Sequence, residues 1–170
     1  MVLNIVKYGD SILETECAPV TRFNTPELRK LIDDMFETMY SARGVGLAAP
    51  QINVGQQLTV IDTSSGEDPT AKLVLINPKI VKQQGQQIGE ECCLSIPGFR
   101  EDVRRAAHVT VQAQDMEGNS FEVNGDELLA RALQHEIDHL HGILFLNHLS
   151  PLKRDLIRRK IKKLQKAGEW

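Results

Sequence analysis

The stretch ALQHEIDHLHGIL, residues 132–144, carries two histidines four positions apart with a glutamate directly after the first. Four positions are slightly more than one helical turn, so on a helix His135 and His139 project from one face and can bind the same ion. Glu136 then lies beside them, which is the arrangement of a hydrolytic metal site. The alternative is a polar surface helix that matches HExxH by chance. The residues elsewhere in the chain are needed to distinguish the two interpretations.

The residues around this motif predict a helix with a strongly apolar face. Asn124-Gly125-Asp126 offers a helix start, and Gly142 is a typical helix end. Between them, apolar residues recur at helical spacing: Leu128, Leu129, Ala132, Leu133, Ile137 and Leu140. The motif is therefore expected on a helix that packs against the core.

Two further helices and a run of strands surround this central helix. Thr25-Pro26 predicts a helix over 26–42, and a last helix is predicted over 151–166. We expect the last helix to place these apolar residues on one side, against lysines and arginines on the other: Leu152, Leu156, Ile157, Ile161 and Leu164. Between about 44 and 123, strand signals alternate with turns: QLTVID, KLVLI, HVTVQAQ and SFEV. The sequence thus predicts an α+β fold, with short, mostly antiparallel strands around the helix that carries HExxH, an N-terminal helix and a C-terminal helix.

Composition indicates one soluble globular domain spanning residues 1–170. Hydrophobic residues make up 41%, charged residues 25%, and the net charge of -3 argues against DNA or another nucleic acid as the main partner. MVLNIVKYGD lacks the features of a signal peptide, and no segment has membrane-spanning length, so no membrane partner is expected. Three cysteines are an odd number, which favours free thiols in a reducing cytoplasm over a disulfide framework.

A third metal ligand is not evident downstream of the motif. Phe145 stands where a third histidine would be expected, and no glutamate occurs between Gly142 and Gln165. His141 faces elsewhere on the helix, and His148, beyond the helix end, is a weak candidate.

The better candidates lie upstream, in EECCLSIPG at residues 90–98. In a predicted strand, adjacent side chains point to opposite faces, so only one of Cys92 and Cys93 should reach the metal. Cysteine with two histidines leaves a fourth position for water, as in a catalytic site. Small buried core residues are the alternative explanation of the two thiols.

Three separated segments together resemble peptide deformylase: GVGLAAPQ at 44–51, ECCLS at 91–95 and HEIDHLHG at 135–142. The resemblance extends to SPLKR at 150–154 and is to the bacterial type with a basic C-terminal helix. It implies a metal-dependent hydrolase that removes the formyl group from the N-terminal formylmethionine of new polypeptides and releases formate. It also implies that Cys93, immediately before Leu94, is the third ligand.

The resemblance assigns roles to the catalytic groups. Water held by the metal would attack the formyl carbon, with Glu136 as general base and then general acid. The side-chain amide of Gln51 and the backbone N–H of Leu94 would stabilise the developing oxyanion.

The resemblance also implies a substrate pocket. Val45, Leu128 and Ala132 would line the pocket for methionine, Gly46 would contact the peptide backbone, and Arg100 would face the bound peptide. Taken alone, GVGLAAPQ would be read as a glycine-rich turn before a strand.

The metal and the partners follow only from the resemblance. It favours Fe(II) in the cell, while imidazole and thiolate ligands also accept zinc, nickel or cobalt in purified protein. Because nascent peptides emerge from the ribosome, the basic C-terminal helix would dock there; a solvated face covering the core is the alternative.

This chain departs from the family at Cys92, where glycine is usual. One hypothesis is that oxidation joins or caps the two adjacent thiols and removes Cys93 from the metal; the alternative is a tolerated small residue. Pro50 and Arg131 are also positions where the family varies.

Two other functions compete with a deformylase. An endopeptidase would use the same metal and Glu136 but needs an extended cleft. A non-enzymatic, ribosome-associated protein would keep the fold with a structural metal.

Overall fold

The computed structural model describes residues 1–170 and has three α-helices and seven strands. The helices are α1 (Pro26–Ser41), α2 (Glu127–Leu140) and α3 (Pro151–Lys166). The strands are β1 (Gly46–Ala48), β2 (Leu58–Ile61), β3 (Leu73–Gln84), β4 (Gln87–Cys93), β5 (Ile96–Arg105), β6 (His108–Gln114) and β7 (Ser120–Asp126). The predicted α+β class is confirmed.

The strands form two antiparallel sheets. Five strands follow the order β1-β2-β3-β6-β7, while β4 and β5 form a separate two-stranded ribbon. Strand β5 was not predicted, because IPGFREDVRR contains a proline, a glycine and five charged residues that obscure the strand pattern. This ribbon carries Cys93, so it supplies one wall of the candidate site.

The five-stranded sheet lies between α1 and α2. Leu58 and Val60 of β2 pack with α1, whereas Ile61 packs with α2, as the two-residue alternation of a strand requires. Helices thus pack on both faces of the sheet: α1 contacts β1 and β2, and α2, which bears the HExxH motif, contacts all five strands.

Local signals explain the helix bounds. Thr25 Oγ1 accepts a hydrogen bond from Leu28 N at 3.1 Å, and Pro26 occupies the first turn, so α1 begins where predicted. The start of α2 lies slightly later in the chain than the predicted start at Asn124-Gly125-Asp126. Asn124 and Gly125 belong to β7, which pairs with β6 as far as Asp126, so the helix begins only at Glu127.

The helix α3 matches the predicted range, but its apolar face is narrower than predicted. Ile157 and Ile161 are buried against Leu13 and Phe145. Leu152 and Leu156 are 70% and 46% exposed, so their predicted place on the buried side was wrong. One stripe of this helix meets the rest of the molecule, and these two leucines lie outside it. No helix in the structure is both long enough and apolar enough to span a membrane.

Candidate metal and catalytic site

Cys93 at the end of β4 and two histidines of α2 converge on one point. Cys93 Sγ lies 3.4 Å from His139 Nε2, and His139 Nε2 lies 3.2 Å from His135 Nε2. All three side chains have low exposure, and their donor atoms lie within 4.8 Å of one another.

These separations fit a small divalent ion. Tetrahedral coordination with the usual zinc distances places two ligand nitrogens about 3.3 Å apart, and nitrogen and sulfur about 3.6 Å apart. The observed distances are close to both values. Three protein donors with this spacing leave one position for water or substrate, which is the pattern of a catalytic metal site.

Glu91 orients one of the two rings. Its Oε1 is 2.9 Å from His135 Nδ1, so Nε2 of that ring faces the other two donors. Arg105 donates to the two carboxylate oxygens at 2.8 and 2.9 Å. Burial alone would raise the pKa of Glu91, but hydrogen bonds from Arg105 and His135 hold the pKa well below its usual range, so the carboxylate stays ionised.

Glu91 was not among the predicted site residues, although the sequence around it carries a signal. Glu91 and Cys93 are two positions apart on one strand and therefore share a face. Both are buried, while Cys92 between them is exposed. This alternation agrees with the prediction that only one of the two thiols reaches the metal, since Cys93 and not Cys92 lies beside the two histidines.

Glu136 is the unpaired acid of the site. Its side chain is buried, and its Oε2 has no hydrogen-bond partner in the protein. Burial raises the pKa of Glu136 to about 7, in the range where a carboxyl group can both accept and donate a proton near neutral pH. Gly46 packs directly against this carboxylate: a Cβ at Gly46 would lie 2.6 Å from Glu136 Oε1.

Gln51 is held in a single orientation. Its Oε1 accepts a hydrogen bond from Ala48 N at 2.9 Å, and its Nε2 donates to Ser95 Oγ at 3.1 Å. The same Nε2 is 3.6 Å from Cys93 Sγ, so its second hydrogen faces the site. Leu94 follows Cys93 in the turn between β4 and β5 and lines the same cavity.

A cavity of about 200 Å³ opens beside these residues. Four of the five predicted substrate contacts line it: Val45, Gly46, Leu128 and Ala132. Arg100 does not. Its exposed guanidinium pairs instead with Glu90, which does line the cavity, at 3.2 Å.

The remaining histidines of the C-terminal third lie outside the cluster. His148 Nε2 is 2.8 Å from Asp138 Oδ2, and His141 Nδ1 is 2.6 Å from Glu16 Oε1. Their ring nitrogens therefore face carboxylates rather than the other donors of the site.

Comparisons with known proteins agree on one family. Residues 2–155 match the family model described as polypeptide deformylase. A peptide deformylase of Acidobacterium capsulatum is 58% identical over 170 residues, covering 100% of this chain and 99% of that protein. The solved structure of a peptide deformylase from Legionella pneumophila is 47% identical with a TM-score of 0.91, covering 99% of this chain and 98% of that one. A peptide deformylase structure from Plasmodium falciparum is 32% identical with a TM-score of 0.89, covering 96% of this chain and 95% of that one.

Proposed function

Since this chain belongs to the peptide deformylase family, a family of hydrolases that remove the N-formyl group from nascent peptides, we propose how its residues carry out that reaction. Cys93, His135 and His139 would hold one divalent metal ion. The observation that carries this assignment is the spacing of their donor atoms, which matches tetrahedral coordination. When bound, the ion would supply Lewis acidity and lower the pKa of a water molecule.

The proposed identity of the ion rests on the family and on the ligand types. Two imidazoles and a thiolate accept iron, zinc, nickel and cobalt, so we propose Fe(II) in the cell and any of the others in purified protein. Glu91 would keep His135 Nε2 directed at the ion, because it accepts the hydrogen on Nδ1 of the same ring.

Glu136 would move the protons. It would accept a proton from the attacking water and return it to the nitrogen of the leaving amine. Its Oε2, which has no protein partner, is available for both transfers. Gly46 leaves room for the Glu136 carboxylate, because the Cβ of any larger residue at position 46 would overlap with it.

Gln51 and Leu94 would stabilise negative charge on the formyl oxygen. The amide of Gln51 is already oriented by Ala48 and Ser95, so no rotation is needed when charge develops. The backbone N–H of Leu94 would be the second donor.

The cavity would take the methionine side chain. Val45, Leu128 and Ala132 provide apolar contact, and an unbranched thioether fits such a pocket. We propose that Gly46 contacts the peptide backbone and that Arg100 faces the residues beyond methionine. A cavity of about 200 Å³ favours one terminal side chain over the long cleft of an endopeptidase.

The test is formate release from formyl-Met-Ala-Ser by anaerobically purified protein, loaded separately with ferrous iron, nickel or zinc. We expect Glu136→Gln to keep its metal and to lose about a hundredfold or more in rate. Glu117→Gln, at an exposed position, is the matched control. No formate with any metal at full occupancy would favour the non-enzymatic alternative, and cleavage of N-acetylated or internal peptides would favour the endopeptidase.

We also propose that the exposed basic face of α3 docks on the ribosome, which would place the enzyme in the cytoplasm beside its nascent substrates. This face consists of exposed residues without an acidic partner: Arg159, Lys160, Lys162, Lys163 and Lys166. Basic charge of this kind speeds association with RNA in a salt-dependent way.

The docking test uses charge reversal rather than truncation, because Ile157 and Ile161 belong to the core. Lys160→Glu combined with Lys163→Glu should weaken ribosome binding and leave hydrolysis of short peptides within about twofold. Equal reversal at Lys79 and Lys82 on β3 is the control. Unchanged ribosome binding would contradict the docking proposal without touching the assignment of the active site.

A further inference from the structure

Arg131 places a guanidinium group in the wall of the substrate cavity. It lies on α2 one turn before His135, it is 7% exposed, and it lines the cavity beside Leu128 and Ala132. The hydrogens of a buried guanidinium normally find acceptors, either in the protein or in what occupies a neighbouring cavity. The position of those hydrogens therefore bears on what the cavity binds.

The protein satisfies three of the five N–H groups of this guanidinium. Nη1 donates to Glu91 Oε2 and, at 3.0 Å, to the carbonyl of Val103. Nη2 donates to Gln87 Oε1 at 3.3 Å. The Nε hydrogen and the second hydrogen of Nη2 have no protein acceptor.

Gly89 on β4 provides the space for this arrangement. A Cβ at Gly89 would lie 3.1 Å from Arg131 Nη2, 3.4 Å from Cζ and 3.5 Å from Nε. The guanidinium thus lies close over Gly89, and an alanine there would force it to shift by a few tenths of an ångström. Gly89 and Arg131 together replace an apolar section of the wall by a fixed donor.

A fixed donor changes which terminal side chains the cavity accepts. Methionine needs only apolar contact, and its thioether is a weak acceptor that a weakly hydrated guanidinium tolerates. Methionine sulfoxide has the same skeleton with one strongly accepting oxygen. An apolar cavity excludes that oxygen because it would lose its hydrogen bonds to water, whereas a donor in the wall replaces them.

We propose that Arg131, positioned over Gly89, donates a hydrogen bond to the sulfoxide oxygen, so that this enzyme deformylates peptides beginning with N-formylmethionine sulfoxide as well as N-formylmethionine. The inference rests on the proposed function, because it assumes that this cavity receives the first side chain. The sulfoxide sulfur is chiral and the donor lies on one wall only, so one epimer is preferred.

The test compares kcat/KM for formyl-Met-Ala-Ser and for the two epimers of formyl-Met(O)-Ala-Ser. In the native enzyme, kcat/KM for the favoured epimer should lie within about tenfold of kcat/KM for the methionine peptide. Arg131→Met removes the donor and keeps an unbranched side chain, so the ratio between the two substrates should grow at least tenfold. Arg104→Met, on the exposed side of β5, is the matched control. The ratio of the two substrates cancels any change in folding or metal content that follows from the lost contact to Glu91.

Gly89→Ala gives a second, independent variant. It should increase the ratio of kcat/KM between the methionine and sulfoxide peptides, because the guanidinium shifts. The double variant Gly89→Ala with Arg131→Met should have the same ratio as Arg131→Met alone, because both changes remove the same interaction. A readout that does not depend on turnover is the set of NMR resonances of the Arg131 Nε–H and Nη2–H groups, of which at least one should shift further when Met(O)-Ala-Ser binds than when Met-Ala-Ser binds.

An equal substrate ratio in native enzyme and Arg131→Met would overturn the inference, as would a bound sulfoxide peptide that shifts neither the Nε–H nor the Nη2–H resonances more than Met-Ala-Ser does. Failure to hydrolyse formyl-Met-Ala-Ser at all would instead contradict the proposed function.

Discussion

Glu91 Oε1 lies 2.9 Å from Nδ1 of His135, and this contact determines which ring nitrogen faces the other two donors of the proposed metal site. Glu91→Gln leaves a neutral group between Arg105 and Arg131, with an amide that can present its N–H groups to the ring. We expect the affinity for zinc to fall about 10- to 100-fold, the usual effect of losing a carboxylate behind a metal-binding histidine. Competition with a calibrated chelator measures that change.

The same variant should also be less stable, because two buried guanidinium groups lose their shared carboxylate. Removing one partner of a buried ion pair costs roughly 3–5 kcal/mol. Glu90→Gln, one residue away and exposed, is the control in urea unfolding. Native zinc affinity in Glu91→Gln would show that His135 is oriented by other contacts.

Gly46→Ala should impair proton transfer while sparing the metal. The new Cβ would lie 2.6 Å from Glu136 Oε1, so the carboxylate has to move. Since general acid–base catalysis contributes about 10²–10⁴-fold, we expect formate release to fall at least about tenfold at unchanged metal content.

Gly55→Ala is the matched control for this glycine, because a Cβ at Gly55 meets nothing within 4 Å. It should keep full activity. If Gly46→Ala is as active as Gly55→Ala, the position of Glu136 is not critical for the reaction.

Acid should destabilise the protein partly through Asp62. This buried carboxylate accepts hydrogen bonds from Tyr40 Oη, from Ser64 N at 2.9 Å and from Gly66 N at 3.1 Å. Burial alone would raise its pKa, but the hydrogen bonds from Ser64 and Tyr40 hold the pKa below its usual value. The folded protein therefore takes up the proton less readily than the unfolded chain, whose carboxyl has a pKa of about 3.9.

This stabilisation is complete above the unfolded pKa and is lost as the pH falls through the folded pKa. Asp62→Asn should lower the free energy of unfolding near neutral pH by about 1–3 kcal/mol. It should also flatten the decline between about pH 5 and pH 2. Urea unfolding across that range, beside the exposed Asp33→Asn, checks both effects. Parallel pH profiles for native protein and Asp62→Asn would contradict the assignment.

Cys92 should be the first cysteine to react with iodoacetamide. It is exposed and lines the proposed substrate cavity, whereas Cys93 is buried, and burial raises the pKa of the Cys17 thiol to about 11. An adduct at Cys92 would narrow the cavity and should inactivate the enzyme. The loss of formate release should therefore have the same time course as the labelling of Cys92, which peptide mass spectrometry measures. Cys92→Gly should slow inactivation severalfold, with Cys92→Ser as a control of similar size.

The same variants test whether oxidation at Cys92 reaches the metal site. Cys92 and Cys93 lie on opposite faces of β4, so a cap on Cys92 needs less distortion than a bond between the two sulfurs. Equal peroxide sensitivity of native protein and Cys92→Gly would end the redox hypothesis and leave Cys92 as a tolerated residue.

The sequence by itself determined the elements whose signals are local. Thr25 and Pro26 mark the start of α1, and apolar residues at helical spacing define α2 and α3, because capping and periodicity act within a few residues. The HExxH spacing and the alternation around Cys93 predicted which side chains can share a face. Membership of the family, and with it the expected reaction, followed from three short motifs read together.

Only the tertiary structure decided which residues distant in sequence contact one another. Cys93 and His139 are 46 positions apart, and their 3.4 Å separation depends on the β4–β5 ribbon packing beside α2. The pairing of Glu91 with Arg105, the closeness of Gly89 to Arg131 and the exposure of Leu152 likewise depend on neighbours that are distant in sequence. Local patterns set the direction of a side chain, whereas packing of whole elements sets which other side chain it contacts.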